Sequence, residues 1–230
     1  MRQRGRRNRG AWVVGVMAFG ASLAAGAAGD RDVLFRDTFK GKLGEGWTWV
    51  REDAKRWRVG ERGLEVCIHS GNMWGPANDA KNVLVRPAPD AGGKPLEITA
   101  AVENHPTNQW EQVDLCWYYN DGHMVKIGEE LVDGKLSVVM GREENDRART
   151  ISITPLDSET LELRLVVSGD RVRGRFKTPN GEWRDVGECD LPAPGAAKDK
   201  PQISLQFYRG PQDAEHWARV TEFTIRSVPQ

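Results

Sequence analysis

In the segment "WEQVDLCWYYND", residues 110–121, Val113, Leu115, Trp117 and Tyr119 alternate with Gln112, Asp114, Cys116 and Tyr118. A two-residue period marks a strand with one face in a core, so the second set points the other way. An amide, a carboxylate and a phenol on one face can hydrogen-bond sugar hydroxyls, and they can also move protons. The same alternation turns other polar side chains outward: Glu65 and His69 in "GLEVCIH", Asn82 and Arg86 in "NVLVR", Lys126 between Val125 and Ile127, and Gln206 and Tyr208 in "QISLQFY". Trp74 stands in the loop-like "SGNMWGPAND", where large aromatics are commonly presented to a ligand. The expected ligand set is therefore Gln112, Asp114, Tyr118, Lys126, Arg86, His69, Tyr208 and Trp74, with the Asp114 carboxylate on the floor of a shared cleft. A solvated sheet face is the plain alternative, because every half-buried strand alternates this way.

Three kinds of catalysis can be weighed on the same residues. Glycoside hydrolysis needs two carboxylates about 5 to 9.5 Å apart on one face. Glu111 and Asp114, three apart on a strand, point to opposite faces, and Glu65 meets Asp114 only if the sheet order makes them neighbours. Elimination from a uronate needs a Tyr or His base and a group that neutralises the acid; Tyr118 or His69 with Gln112, Arg86 or Lys126 supply those types. Nucleophilic catalysis finds no support, since "HSG" at 69–71 lacks a nucleophile-elbow context and no base stands beside Cys116. The weak catalytic candidates are thus Asp114, Glu65 and Tyr118. No cofactor is expected; a structural calcium ion could draw oxygens from Asn120-Asp121 or Asn78-Asp79, residue pairs that more often simply form turns.

The elements that position these residues are short and alternating from about residue 33 onward, with little helical periodicity. Asn120-Asp121-Gly122, Asp133-Gly134, Ser168-Gly169-Asp170 and Asn180-Gly181 each separate two such runs and supply the residues that tolerate positive φ, so antiparallel hairpins are expected there. "LPAPGAAKDKP", 191–201, reads as a long surface loop. Trp47, Trp49, Trp57 and Trp183 are expected in the core. The 230 residues carry 33 basic and 33 acidic side chains, evenly scattered, which gives no electrostatic reason to expect nucleic acid or an anionic membrane as partner. Cys67, Cys116 and Cys189 are widely spaced, so a zinc site is not indicated; one bridge or three buried thiols are both open. At the N-terminus, Arg2, Arg4, Arg6, Arg7 and Arg9 precede an apolar run ending in "AGA" at 25–27, the pattern of a secretory signal over 1–29 with the mature domain at 30–230, in an exported protein with no membrane attachment once the signal is removed.

The ordered motifs "LFRDTFKGKLGEGWTWVRE", "NVLVR", "WEQVDL" with "YYNDGHMVKI", "VVSGDRVRGRF", "NGEW" and "VTEFTI" resemble the concanavalin A-like lectin/glucanase sandwiches, in particular the domains related to the C-terminal module of β-xylosidases. The resemblance implies an all-β jelly-roll sandwich of two antiparallel sheets and a carbohydrate or polysaccharide partner on the concave face. Glycan-active enzymes and a non-catalytic protein-binding scaffold are the other readings. Oligomeric state and the identity of the glycan are not legible. Where such domains read E-Q-A-G-L, this chain has Glu111, Gln112, Val113, Asp114 and Leu115, placing a carboxylate where the resemblance implies open floor.

Overall fold

The computed structural model describes residues 32–193 and 199–229; the expected signal segment and the middle of the 191–201 loop lie outside them. Fifteen strands are formed: β1 (Val33–Asp37), β2 (Thr48–Val50), β3 (Trp57–Gly60), β4 (Gly63–Cys67), β5 (Val83–Pro87), β6 (Leu96–Glu103), β7 (Gln112–Asn120), β8 (His123–Val132), β9 (Lys135–Glu144), β10 (Arg147–Pro155), β11 (Thr160–Ser168), β12 (Arg171–Lys177), β13 (Arg184–Asp190), β14 (Gln202–Tyr208) and β15 (Trp217–Ser227). They make two antiparallel sheets. One has seven strands in the order β10-β9-β8-β7-β14-β5-β2; the other runs β13-β12-β11-β6-β15-β4-β3, with β1 also paired to β15. No helix occurs among the described residues, and the all-β jelly-roll expectation holds.

The main core lies between the sheets. Val113, Leu115, Trp117, Val125, Ile127 and Met140 face Ile98, Ala100, Leu163, Leu165, Phe223 and Ile225, all in one buried cluster. Burying each such aliphatic or aromatic side chain contributes about 1.5–3 kcal/mol, which is why alternation over six central strands specifies the register. Hairpins fall where the turn chemistry puts them: Asp133 and Gly134 adopt φ of +48° and +70°, Gly169 +59° and Asn180 +61°. The turn 120–122 departs from expectation. It uses no positive φ; the register shifts between Tyr118 and Asn120, just before the turn closed by the Asn120–His123 pair, and Gly122 is small because the Asp146 carboxylate would lie 2.6 Å from a Cβ there.

All three cysteines are buried free thiols on separate strands. Trp47 is in the core and Trp49 stacks on Trp57 at 5.0 Å against it. Trp183 corrects the expectation: it lies half-buried at the sheet surface, with the Arg164 guanidinium 3.5 Å above its ring and Lys177 at 5.1 Å. A tryptophan held under a cation needs no interior site.

The outer face of the larger sheet is a ladder of ion pairs. Glu65 accepts from Arg58 and Arg219, and Arg164 pairs with Glu97 at 2.8 Å. Such partly exposed pairs add little stability each.

The outer face of the seven-stranded sheet is different, because the segment 68–82 lies across one half of it. Met73 and Ala80 of this segment are fully buried and join Val83, Val85, Cys116, Tyr118, Met124 and Tyr208 in a second, smaller apolar cluster. Polar contacts clamp the segment down. Arg51 Nε donates to the Ala80 carbonyl at 2.7 Å and the Gly75 N–H donates to Glu143 at 3.1 Å, while Asn72 Nδ2 braces the segment internally by donating to the Trp74 carbonyl at 2.7 Å. Arg51 also pairs with Asp121, tying the segment to the β7–β8 turn.

Candidate functional site

The half of the seven-stranded sheet's outer face that the segment leaves uncovered forms a pocket of about 290 Å³. Its floor is Lys126, Gln112 and Glu130, which follow from alternation on β7 and β8: Gln112 is directly opposite Glu130, and Lys126 lies four residues before Glu130 on the same face. Two tryptophans wall it. Trp74 projects from the covering segment onto Gly141 of β9, where a Cβ would come within 2.4 Å of the ring; its other neighbour is Lys126, whose ammonium is 4.8 Å from the ring centroid. Trp110 stands at the opposite wall, 42% exposed.

Trp110 was not expected in the site, and the geometry makes it conspicuous. Its φ of +69° is a left-handed conformation that bulky residues rarely adopt and that costs on the order of 1 kcal/mol or more. The backbone is held there from three directions. Trp110 N–H donates to the Leu131 carbonyl at 2.8 Å, its carbonyl accepts from Gln112 Nε2 at 2.7 Å, and Glu111 accepts the N–H groups of Thr107 and Asn108 at 2.8 and 3.0 Å. Glu111, fully buried and bonded to His216, therefore anchors the turn that displays the indole.

Lys126 is the electrostatic centre. It is 1% exposed, and its ammonium meets the Gln112 amide oxygen, Glu130 at 3.3 Å, the Tyr208 hydroxyl at 3.3 Å and Asp114 at 3.5 Å. Burial works against its charge, but Asp114 and Glu130 outweigh that and hold its pKa above the ordinary lysine value. Asp114 has no exposed surface and neither oxygen accepts a hydrogen bond of good geometry. Burial pushes its pKa up to about 6 against the opposing field of Lys126. The carboxylate thus does not lie open on a cleft floor; it is a counter-ion beneath the lysine.

Gly128, directly across from Asp114 on β8, explains how a carboxylate fits there. A Cβ at 128 would lie 1.7 Å from Asp114 Oδ1 and 2.7 Å from the Val113 carbonyl oxygen. The missing side chain that the resemblance places on β7 is supplied one strand over. Gly128→Ala should therefore destabilise the fold by about 1–3 kcal/mol, with part of the loss recovered by adding Asp114→Gly; equal melting temperatures for wild type and Gly128→Ala would refute this packing.

Of the expected set, Gln112, Lys126 and Trp74 line the pocket, while Asp114 and Tyr208 meet Lys126 from beneath with no exposed surface and so do not reach a ligand. Tyr118 faces the same way but lies under the covering segment, 5% exposed, donating to Asp121 at 2.7 Å, and burial raises its pKa well above the ordinary tyrosine value. Arg86 does not join them. β5 is turned over relative to expectation, with Leu84 in the main core and Val83 and Val85 under the segment, so Arg86 stacks on Phe35 at 3.1 Å on the core side and burial lowers its pKa to about 10. Asn82 is likewise buried, accepting from Asp53 N–H at 2.7 Å. His69 follows β4 and lies 3.6 Å from Asp53, away from the pocket; burial lowers its pKa. Glu65 is on the other sheet, facing solvent, its pKa lowered by Arg219 and Arg58, so it cannot pair with Asp114.

The turn pairs considered for calcium are engaged elsewhere. Asp121 holds Arg51 and Tyr118, Asn120 accepts from Gly122 N–H, Asp79 accepts from Asn72 N–H, and Asn78 donates to Asp146. Among the described residues, no group of three or more His, Cys, Asp or Glu side chains is placed to hold a metal ion.

Two antiparallel sheets packed face to face make a jelly-roll sandwich, an architecture that serves many unrelated proteins. The profile of the β-xylosidase C-terminal concanavalin A-like domain matches residues 36–194, and the chain belongs to that family. No curated protein matches it. Among solved structures, it is similar to the GH43 BlXynB protein from Bacillus licheniformis, with 16% identity, a TM-score of 0.74, and coverage of 84% of this chain and 39% of that one. The xylan β-1,4-xylosidase from Bacillus halodurans gives 16% identity and 0.72 over the same shares. The carbohydrate-binding module CBM66 from Bacillus subtilis gives 16% identity and 0.53, covering 79% of this chain and 96% of that one. The chain thus spans 39% of the length of each of these two Bacillus proteins, and at these identities the likeness is one of fold.

Proposed function

We propose that the protein is an exported carbohydrate-binding module that takes a sugar in the pocket between Trp74 and Trp110. The observation that carries this is the exposure of Trp110 in a strained backbone at the pocket wall. Of the large hydrophobic side chains, only Leu34, Trp110 and Ile153 are exposed among the described residues, and two of these line this pocket. Aromatic faces stack on the C–H faces of sugar rings, while Gln112 and Glu130 offer directional hydrogen-bond partners. Family membership and the fold shared with CBM66 support the same reading, and the arginine-led apolar N-terminus supports export. None of the carboxylates considered for hydrolysis, Glu111, Asp114 and Glu65, lines the pocket, which favours binding over catalysis.

Titration calorimetry with a panel of soluble oligosaccharides tests the proposal. Trp110→Ala should weaken any binding sugar at least about tenfold, corresponding to 1.4 kcal/mol, with only a small change in melting temperature because the indole belongs to neither apolar cluster. Binding unaffected by Trp110→Ala, or no binding to any glycan, would count against it.

A further inference from the structure

We infer that the sugar bound in this pocket carries a carboxylate, as a uronic acid residue does, and that Arg209 receives it. The inference rests on the carbohydrate reading above and assigns the ligand's charge.

The pocket contains two cations in different states. Lys126 has four oxygen partners for three N–H donors, two of them carboxylates, so its charge and its hydrogen bonds are consumed within the protein. Arg209 is exposed at the pocket rim, and its guanidinium makes no hydrogen bond or ion pair among the described residues. Its backbone is nevertheless held tightly. Arg209 N–H donates to the Gly71 carbonyl at 2.9 Å, and its carbonyl accepts from Asn108 Nδ2 at 2.8 Å.

Its φ is +63°, close to the +69° of Trp110. These two left-handed, non-glycine residues stand next to each other for a topological reason: Tyr208 pairs with Gln112 across β14 and β7, and Arg209 and Trp110 flank that pair at the same sheet end. Asn108, two residues before Trp110, bonds the Arg209 carbonyl and joins the two turns. The two strained positions thus bring an aromatic ring and a guanidinium fork to the lining of one pocket. A fork of this kind is matched to a carboxylate, which it binds by two parallel charge-assisted hydrogen bonds.

The anionic side of the pocket is kept apart. Glu130 is on β8, beyond β7 from β14, so two strand spacings, roughly 10 Å, separate it from Arg209. A ligand that spans the pocket meets a cation at one side and a hydroxyl acceptor at the other. An acidic sugar, with its carboxylate at one ring position and hydroxyls at the others, has that polarity; a neutral sugar leaves the guanidinium without a charge partner.

The test compares oligogalacturonides with the same oligomers methyl-esterified, and with neutral xylo- and cello-oligosaccharides, by calorimetry on the wild-type chain, Arg209→Gln and Arg209→Lys. The acid should bind the wild type about tenfold or more tighter than its ester, with an advantage that shrinks between 20 and 200 mM salt, roughly as exposed charges are screened. Arg209→Gln should erase the difference between acid and ester, and Arg209→Lys should keep only part of it because the fork is lost. Equal affinity for acid and ester in the wild type, or a preference that survives Arg209→Gln, would overturn the inference while leaving a carbohydrate site standing. Binding of no sugar at all would remove both.

Discussion

Replacing Lys126 by Met should cost the fold about 3–5 kcal/mol at pH 7.5, because the substitution leaves Asp114 and Glu130 buried without their cation. For a domain of this size that is a fall of roughly 10 °C in melting temperature. Methionine fills the volume of the lysine stem and can keep contact with Trp74 and Tyr208, so lost packing is a minor part of the effect. Adding Asp114→Asn should return much of the stability, since an amide needs no counter-ion. Acidic pH should act in the same direction. Burial already raises Asp114 to about 6, and losing the lysine raises it further, so the Lys126→Met deficit should shrink as the pH falls to 5. Denaturant unfolding of the four variants of this cycle at pH 5 and 7.5 measures the coupling. A deficit that is the same at both values, with no rescue by Asp114→Asn, would show that Lys126 is held for its shape and not its charge.

The second large effect concerns Glu129, the neighbour of Glu130 on β8, whose side chain points to the opposite face of the strand. Its side chain is fully buried beside Asn104, with Glu159 and Glu111 adding negative field, and burial first of all pushes its pKa from the ordinary 4.5 up to about 9. Between those two values the native state keeps a proton that the unfolded chain releases. Stability is therefore full below about pH 4.5 and declines as the pH rises towards 9. Glu129→Gln carries no such penalty, and its amide can pair with the Asn104 amide. The variant should gain on the wild type at about 1.4 kcal/mol per pH unit through this window, reaching several kcal/mol near pH 9. Urea titrations at pH 5, 7 and 9 read the slope directly, and parallel stability profiles would exclude the assignment.

The sheets, most hairpins and the core of β7 and β8 could be read from alternation and turn residues because a one-residue error there would turn every apolar side chain to water. β5 could not. Val83 and Val85 pack under the 68–82 segment while Leu84 enters the main core, so the strand is apolar on both faces and its phase carries no information about which face is which. The misplacement of Arg86 follows from that single ambiguity. Glu65 and His69 failed differently: alternation says which way a side chain points from its own sheet, never which sheet it belongs to. Glu130 was legible in principle, four residues from Lys126 on one strand. Trp110 and Arg209 were not, because they lie just outside their strands and depend on left-handed turns that Asn108, Gly71 and Leu131 hold from a distance.

The covering segment also divides the outer face of the seven-stranded sheet by how freely it can change over descent. Beneath it, outward positions such as Cys116, Tyr118 and Met124 are enclosed as completely as interior ones, so substitutions there meet the same purifying pressure as the core. At the open end, Trp110, Ile153 and Arg209 can vary without disturbing either apolar cluster. Lineages descending from such a chain should therefore drift in ligand preference through a few rim positions and through the length of one segment, while the strands that carry them stay nearly constant.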